Sequence, residues 1–175
     1  MKKKLLHLIF SAFFTAILTA CGFHLRSSSE LPPQLQHVYL DTPNPTSPFS
    51  AQLVGLLKGM GAEILPNAKT APMILHIEQA AFIANQPNVI SSSVITTYTY
   101  NYNVQFSIEN IRGETVVPIT NLSVGQSIYA APNQMLTGTS TSSRVENSLR
   151  TQVLQLLMTQ LTTTRIRTLL AQASS

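Results

Sequence analysis

Catalytic chemistry in this chain would have to come from a few scattered histidines and carboxylates. The histidines after residue 20 are His24, His37 and His76. His76 and Glu78 stand two residues apart in a strand-like segment, so their side chains share one face. That spacing suits a general base held by a carboxylate. The same pattern also predicts a simple polar pair on a half-wet sheet, which is the alternative.

Other kinds of catalytic or cofactor site lack the residues they need. The sequence contains no nucleophile elbow, no second thiol and no His-x-x-x-His pair that could ligate a metal. Asp41 is the single aspartate, which excludes a paired-aspartate site. Gly55, Gly59 and Gly61 fall in or beside a predicted helix, so they form no phosphate-binding loop. We therefore predict that the chain is not an enzyme and uses neither cofactor nor metal.

The one cysteine, Cys21, follows a short cationic and apolar leader. Lysines fill positions 2–4, and the apolar run at 5–20 is shorter than the roughly 20 residues of a membrane-spanning helix. This pattern is typical of a secretory signal. With small residues before the thiol it resembles the lipobox of bacterial lipoproteins, which implies cleavage before Cys21 and acylation of its sulfur. The alternative is an uncleaved anchor followed by a free or buried cysteine.

Composition indicates one domain with an unusually neutral surface. Removal of the signal peptide 1–20 would leave a lipidated tether at 21–33 and a single domain at 34–175. The formal net charge of +4 comes largely from the leader lysines, and no basic cluster remains, which excludes a nucleic-acid footprint. Charged residues make up 10% of the chain against roughly 25% in ordinary domains. A partner that covers much of the surface would explain this; a Thr- and Ser-rich secreted protein without one is the alternative.

The first half of the chain alternates short strands with one helix. The pattern predicts a strand at 36–41, and then a helix that begins with Ser47 as N-cap and Pro48 at its first position. Gly59 and Gly61 supply the end of that helix. A brief strand at 62–65 and a longer one at 73–84 follow.

The clearest pattern is a long alternation of apolar and polar residues. On one side lie Val94, Tyr98, Tyr100, Tyr102, Val104, Phe106 and Ile108, and on the other lie Thr, Asn, Gln and Ser residues. This predicts a strand at 97–108 with one buried face, joined through a turn at 110–114 to a second strand at 115–129. After a polar loop at 131–142, Ser143 and Glu146 match a capping box. The helix that follows runs to Leu161 and, past a weak point at 162–164, towards Leu170.

These elements predict an α+β sandwich. Two amphipathic helices and a sheet with one apolar face can all bury their apolar surfaces if both helices pack on that face of the sheet. The sheet would be mixed and mostly antiparallel, with about four strands. Its second face, rich in Thr, Asn, Gln and Ser, would then be exposed to solvent or in contact with a polar, hydrated surface of a partner.

The segment Cys21-Gly22-Phe23-His24-Leu25-Arg26 resembles the mature start of the LPS-assembly lipoprotein LptE family. The similarity continues through the tyrosine-rich strand, through 127–134 and into the terminal helix. It implies a small sandwich held at the cell outer membrane by acylated Cys21, facing the periplasm and lying partly within a barrel lumen. There it would plug the LptD β-barrel, help that barrel assemble and support insertion of lipopolysaccharide at the cell surface.

The resemblance also implies contacts with lipopolysaccharide through basic residues near the two polar loops. Loops 85–93 and 131–142 contain no Lys or Arg here, so the candidates for head-group contacts are Arg112 at the hairpin tip and Arg144 at the loop–helix junction. A solvated surface charge is the alternative for each. The alternative function is a freestanding periplasmic lipoprotein that binds lipid or glycolipid, which predicts a deep apolar cavity between sheet and helices. A hydrolase built on His76 and Glu78 is the third hypothesis.

Overall fold

The computed structural model describes residues 31–85, 96–130 and 139–173. The predicted signal peptide 1–20, Cys21, all but the first residue of loop 85–93 and the first part of loop 131–142 lie outside the described residues. Leu31 and Leu35 are buried in the core. The packed domain therefore includes the last residues of the predicted tether.

Five strands form a single mixed sheet. They are β1 His37–Asp41, β2 Glu63–Ile64, β3 Met73–Asn85, β4 Thr96–Asn110 and β5 Thr115–Ala130. Their order across the sheet is β2-β1-β3-β4-β5, with β1 parallel to both of its neighbours and β3, β4 and β5 antiparallel. The predicted α+β class is confirmed, and the brief strand predicted at 62–65 is β2, so the sheet has five strands where about four were expected.

Three helices accompany the sheet. They are α1 Pro48–Gly59, α2 Thr139–Leu161 and α3 Thr164–Ala173. The predicted start of α1 is confirmed, because the Ser47 hydroxyl accepts a hydrogen bond from the Ser50 N–H at 3.1 Å. Gly61 follows α1 with φ of +89°, a conformation that glycine adopts without strain. None of the described helices combines the length and the hydropathy that a bilayer crossing requires.

The two ends of α2 differ from the prediction. The helix begins at Thr139, so residues 139–142 are helical rather than part of a loop, and the Ser143–Glu146 capping box does not mark its start. Within the predicted weak point at 162–164, the helix is interrupted at Thr162 and Thr163, and Thr164 already begins α3. Hydroxyls of Thr162 and Thr163 accompany the break by donating to main-chain carbonyls three or four residues earlier. The single long helix expected from the pattern is therefore α2 followed by α3.

The core lies between the helices and one face of the sheet. Val104, Phe106 and Ile108 of β4 are wholly buried, as are Leu53 of α1 and Leu157 of α2. Phe49 at the start of α1 stacks on Tyr102, with ring centroids 6.0 Å apart. The predicted packing of the helices on the apolar face of the sheet is confirmed. We call the other face the open face.

A β-bulge in β3 keeps the strand's polar and apolar sides aligned with the rest of the sheet. The register with β4 shifts between Ile77 and Gln79. Because a bulge inserts one residue, alternation on β3 changes phase there. Ile77 is buried on the helix side before the bulge, and Phe82 lies on the same side after it, where it stacks on Tyr100 at 5.8 Å.

Candidate functional site

The open face carries small neutral side chains over most of its length. The residues of this part, which we call the neutral end, are Gln79, Ala81, Ile83 and Asn85 on β3, Thr97, Thr99, Asn101, Asn103 and Gln105 on β4, and Asn121, Ser123, Gly125, Ser127 and Tyr129 on β5. None of them is charged. Facing side chains form hydrogen bonds across the strands: the Ser123 hydroxyl donates to Asn103 Oδ1 at 2.7 Å. The neutral end is thus an uncharged surface in which hydroxyls and amides predominate, with Ile83 and Tyr129 as its exposed large apolar side chains.

The charges of the open face gather at its opposite end. This charged end consists of Asp41, His76, Glu78, Ser107 and Glu109. It lies towards the β4–β5 turn, where Met73 begins β3 opposite Asn110. A cleft of about 280 Å³ opens beside it between the end of β1 and the middle of β3. The sequence predicts a polar face, whereas the structure shows that this face has two ends with different electrostatics.

His76 is the centre of the charged end. Its Nδ1 lies 3.0 Å from Asp41 Oδ2, and its Nε2 lies 3.4 Å from Glu109 Oε2. Nε2 is buried and makes no hydrogen bond within the described part of the chain. The imidazole of β3 therefore bonds to β1 through Asp41, and on its other side it lies near the Glu109 carboxylate of β4 without a hydrogen bond to it.

The structure corrects the predicted pairing of His76 with Glu78. The carboxylate that orients His76 belongs to Asp41, while Glu78 accepts a hydrogen bond from the Ser107 hydroxyl at 3.0 Å. The register shift in β3 falls at Glu78, which explains why simple alternation does not give its partner. Ser107 is buried and its hydroxyl proton is directed to a carboxylate, so it is not arranged as a nucleophile for His76. The arrangement is that of a polar cluster that joins strands.

Metal binding finds no support in the same residues. Across residues 31–85, 96–130 and 139–173, no group of three His, Cys, Asp or Glu side chains is arranged to hold a metal ion. The acidic side chains of the charged end are instead engaged by His76 and Ser107.

A second cleft, of about 200 Å³, opens between the start of α1, the middle of β4 and α2. Phe49, Phe82 and Tyr102 line it together with Arg150, whose guanidinium is buried. Burial raises the pKa of the Tyr102 hydroxyl; Arg150 lowers it by a smaller amount and Glu146 raises it slightly. This cleft is open and below the 300–1,000 Å³ of typical ligand pockets.

The two candidate arginines lie far apart. Arg112 is in the β4–β5 turn, with its Nη2 2.9 Å from Glu114 Oε2. Arg144 is exposed on α2, near Glu146, which lines the cleft beside Tyr102. Tyr102, beside that cleft, is about 27 Å along β4 from Asn110, which opens the turn that carries Arg112. The structure therefore does not bring the two arginines together, and a role in head-group binding stays a prediction for each.

The Glu114 carboxylate is held by the turn that carries Arg112. The Asn110 amide donates to Glu114 Oε2 at 2.6 Å, and its carbonyl oxygen accepts from the N–H groups of Arg112 and Glu114. The hydrogen bond from Asn110 lowers the pKa of the Glu114 carboxyl, and the Arg112 guanidinium lowers it further. Part of the Arg112 charge is thus already matched within the turn.

Three solved bacterial lipoproteins have the same fold as this chain. A minor lipoprotein from Acinetobacter baumannii is 17% identical, with a TM-score of 0.60 over 75% of this chain and 95% of its own. The rare lipoprotein B from Shewanella oneidensis is 12% identical, with a TM-score of 0.61 over 74% and 96%. A lipoprotein B from Nitrosomonas europaea is 17% identical, with a TM-score of 0.57 over 81% and 88%.

The fold is that of these lipoproteins. The sequence itself matches no described protein family and no curated protein. At these identities the likeness concerns the arrangement of strands and helices, and it carries no individual site residue from one protein to another.

Proposed function

We propose that this chain is an outer-membrane lipoprotein of the LptE type that plugs the lumen of an LptD-type β-barrel. In this role it helps the barrel assemble and supports insertion of lipopolysaccharide at the cell surface. Acylated Cys21 would hold it to the membrane from the periplasmic side. The observation that carries the proposal is the neutral end of the open face.

A neutral polar surface suits a water-filled barrel interior. The lumen of an outer-membrane barrel is polar, so hydroxyls and amides find hydrogen-bond partners there. A lysine or glutamate enclosed without a matching charge would be costly. On β4 the neutral end reaches from Thr97 to Gln105, about 27 Å at ~3.4 Å per residue. That length is close to the roughly 25 Å height of the apolar band of a bacterial barrel.

The position of the tether agrees with this arrangement. The chain enters the domain through Leu31 and Leu35, just before β1. Val38 of β1 pairs with Met73, which lies at the charged end. The tether thus joins the domain near the charged end, and the neutral end points away from it. We propose that the charged end stays in the aqueous periplasm while the neutral end is enclosed.

The packing of the core favours this role over that of a lipid carrier. An acyl chain needs an elongated apolar cavity, whereas wholly buried side chains such as Phe106, Leu157 and Leu161 fill the centre of the space between sheet and helices. The cleft beside Tyr102 holds only about 200 Å³ and is lined in part by Glu146 and Arg150. Catalysis is not part of the proposal, because His76 is paired with Asp41 and the nearby Ser107 hydroxyl is directed to Glu78 rather than to His76.

The test compares two matched glutamine-to-lysine variants in cells. Gln105 lies in the neutral end, and Gln36 is exposed beside the tether. A lysine at the exposed Gln36 should change the free energy of unfolding of the isolated chain by less than about 0.5 kcal/mol. Gln105 is half-buried, and a lysine there can extend its ammonium group to water, so its cost in the isolated chain should stay within about 1 kcal/mol. Enclosure adds the cost of burying a charge, so Gln105→Lys should reduce the amount of barrel that co-purifies at least ~10-fold, equal to about 1.4 kcal/mol.

Gln36→Lys should co-purify with the barrel as the unaltered chain does. The proposal is wrong if no large β-barrel protein accompanies the chain in detergent extracts. It also fails if the two lysine variants retain equal amounts of barrel.

A further inference from the structure

Strand β5 forms one edge of the sheet. Within the described residues it pairs only with β4, so the outward N–H and C=O groups of Thr120–Ala130 have no strand partner there. Open edges of this length are templates on which a further strand can form hydrogen bonds. The opposite edge is β2, whose two residues are too few to act in that way.

The usual protections of an edge strand are confined to the first part of β5. Pro118 lies there, and the register with β4 shifts between Phe106 and Ile108 and again before Glu109. Proline and bulges both prevent the addition of another strand. From Thr120 to Ala130 the register is unbroken, and the segment contains no charged residue and no proline.

The unprotected segment also exposes apolar surface. Tyr129 is 72% exposed, while Val124 and Ile128 are only partly covered by the core. Gly125, near the middle, has no side chain, and the Asn101 amide lies where its Cβ would be. The edge is therefore neutral and partly apolar, properties that favour strand addition.

We infer that Thr120–Ala130 pairs antiparallel with the same segment of a second copy of this chain. In the register centred on Gly125, the whole segment pairs with itself. Leu122 then faces Ile128 of the other copy on the helix side of the sheet. On the open face, Ser123 faces Ser127 of the other copy, and Tyr129 covers Asn121.

Self-pairing requires a strand that tolerates itself, and this one does. A two-fold axis places the same surface of both copies together, so a charged residue near the axis would lie close to the same charge on the other copy. Like charges on facing strands are destabilising, and this segment has none. The register also sets Leu122 opposite Ile128 and Ser123 opposite Ser127, both of which are favourable cross-strand pairs, while Val124 faces the neutral Gln126.

The dimer should be reversible. A single pair of strands buries less than the roughly 800 Å² per partner of a stable interface, so the dimer fraction should rise with protein concentration. The inference does not depend on the proposed function. A copy enclosed in a barrel would have this edge covered, so self-pairing describes the chain outside the barrel and competes with the enclosed state.

Disulfide trapping tests both the contact and its register. In a Cys21→Ser chain the introduced thiols are the only ones present. Ser123→Cys and Ser127→Cys are prepared separately, mixed and oxidised. The facing Cα atoms would lie about 4.5–5.5 Å apart, within the range of a disulfide. Within either variant alone the two thiols would be offset by about 13 Å along the strands, which no disulfide spans.

The expected result is a disulfide-linked dimer in the mixture of Ser123→Cys and Ser127→Cys. Each variant oxidised alone should give at least ~5-fold less of this dimer, since only the mixture brings two thiols opposite each other. Gln105→Cys mixed with Ser127→Cys is the matched control, because Gln105 lies one strand inward on the same face, and it should stay monomeric. Circular dichroism establishes that each variant is folded. Equal dimer in all samples would overturn the register, and no dimer in any sample at high concentration would overturn the inference.

Discussion

Arg150 offers the sharpest test of how the two large helices are joined. Its side chain is 8% exposed and projects from α2 towards α1. Nη1 lies 3.1 Å from Glu146 Oε1, Nε donates to Gln52 Oε1 at 3.2 Å, and Nη2 donates to the side-chain oxygen Asn147 Oδ1. Replacement by methionine keeps much of the apolar stem and removes every one of these bonds.

The cost follows from the exposure of the partners. Glu146 is 39% exposed, so water can partly solvate its carboxylate once the Arg150 cation is removed. We therefore assign the ion pair about 1 kcal/mol, a value between those of surface and buried ion pairs. The bonds to Gln52 and Asn147 contribute about 0.5 kcal/mol each, because these amides also regain water. Arg150→Met should therefore lower the free energy of unfolding by about 2 kcal/mol. Arg150→Ala loses the buried methylenes too and should cost about 4 kcal/mol.

Urea and thermal unfolding followed by circular dichroism measure these differences. About 2 kcal/mol corresponds to a fall in Tm of about 6 °C for a domain of this size. Arg144→Met is the matched control: it removes the same charge from an exposed site on the same helix, and its effect should stay below about 0.5 kcal/mol. If Arg150→Met is as stable as the unaltered chain, or more stable, then this buried network does not join the helices as described.

Three further outcomes follow from local contacts. Ser47→Ala should lower the free energy of unfolding by about 1 kcal/mol, since the Ser50 N–H loses its cap; an unchanged urea midpoint would contradict this. Burial raises the pKa of Tyr102, so the folded state holds the phenol proton more tightly than the unfolded chain does, and the free energy of unfolding should fall as pH rises above about 10. Tyr102→Phe should remove this pH dependence. An equal loss of stability in both chains would show that Tyr102 is not its source. The pKa of Glu114 is lowered in the folded state, so its ionised carboxylate stabilises the fold at pH values above the pKa that it has in the unfolded chain. This stabilisation is lost as pH falls through the folded pKa. An NMR titration of Asn110→Ala should show a higher carboxyl pKa, and an unchanged pKa would exclude the hydrogen bond as the cause of the lowering.

Local signals are what made most of the fold predictable. Ser47 and Pro48 fix the start of α1 by backbone chemistry that involves only a few neighbouring residues. The alternation through β4 and β5 reports directly which face is buried, and the structure confirms it. The start of α2 was not predictable in this way, because Ser143 and Glu146 satisfy the capping pattern although the helix begins a turn earlier.

The candidate site depended on information that the sequence does not carry locally. Alternation predicts a polar open face, but its division into neutral and charged ends depends on which strands pair and in what register. Asp41 and His76 are 35 residues apart in sequence and meet only because β1 runs parallel to β3. The bulge at Glu78 has no distinctive sequence signal, so the partner of Glu78 could not be foreseen. The Glu146–Arg150 spacing of four residues was the one available sign of a buried ion pair.

Site-specific photocrosslinking in living cells tests most directly whether a barrel encloses the neutral end. A photoreactive residue is placed at Asn103 in the neutral end or at Glu63, which is exposed on the edge strand β2 at the level of the charged end. We predict that the probe at Asn103 forms a crosslink to a large outer-membrane β-barrel protein and that the probe at Glu63 does not. A probe at Asn103 that crosslinks to no barrel, while the chain is folded and membrane-bound, would contradict the account.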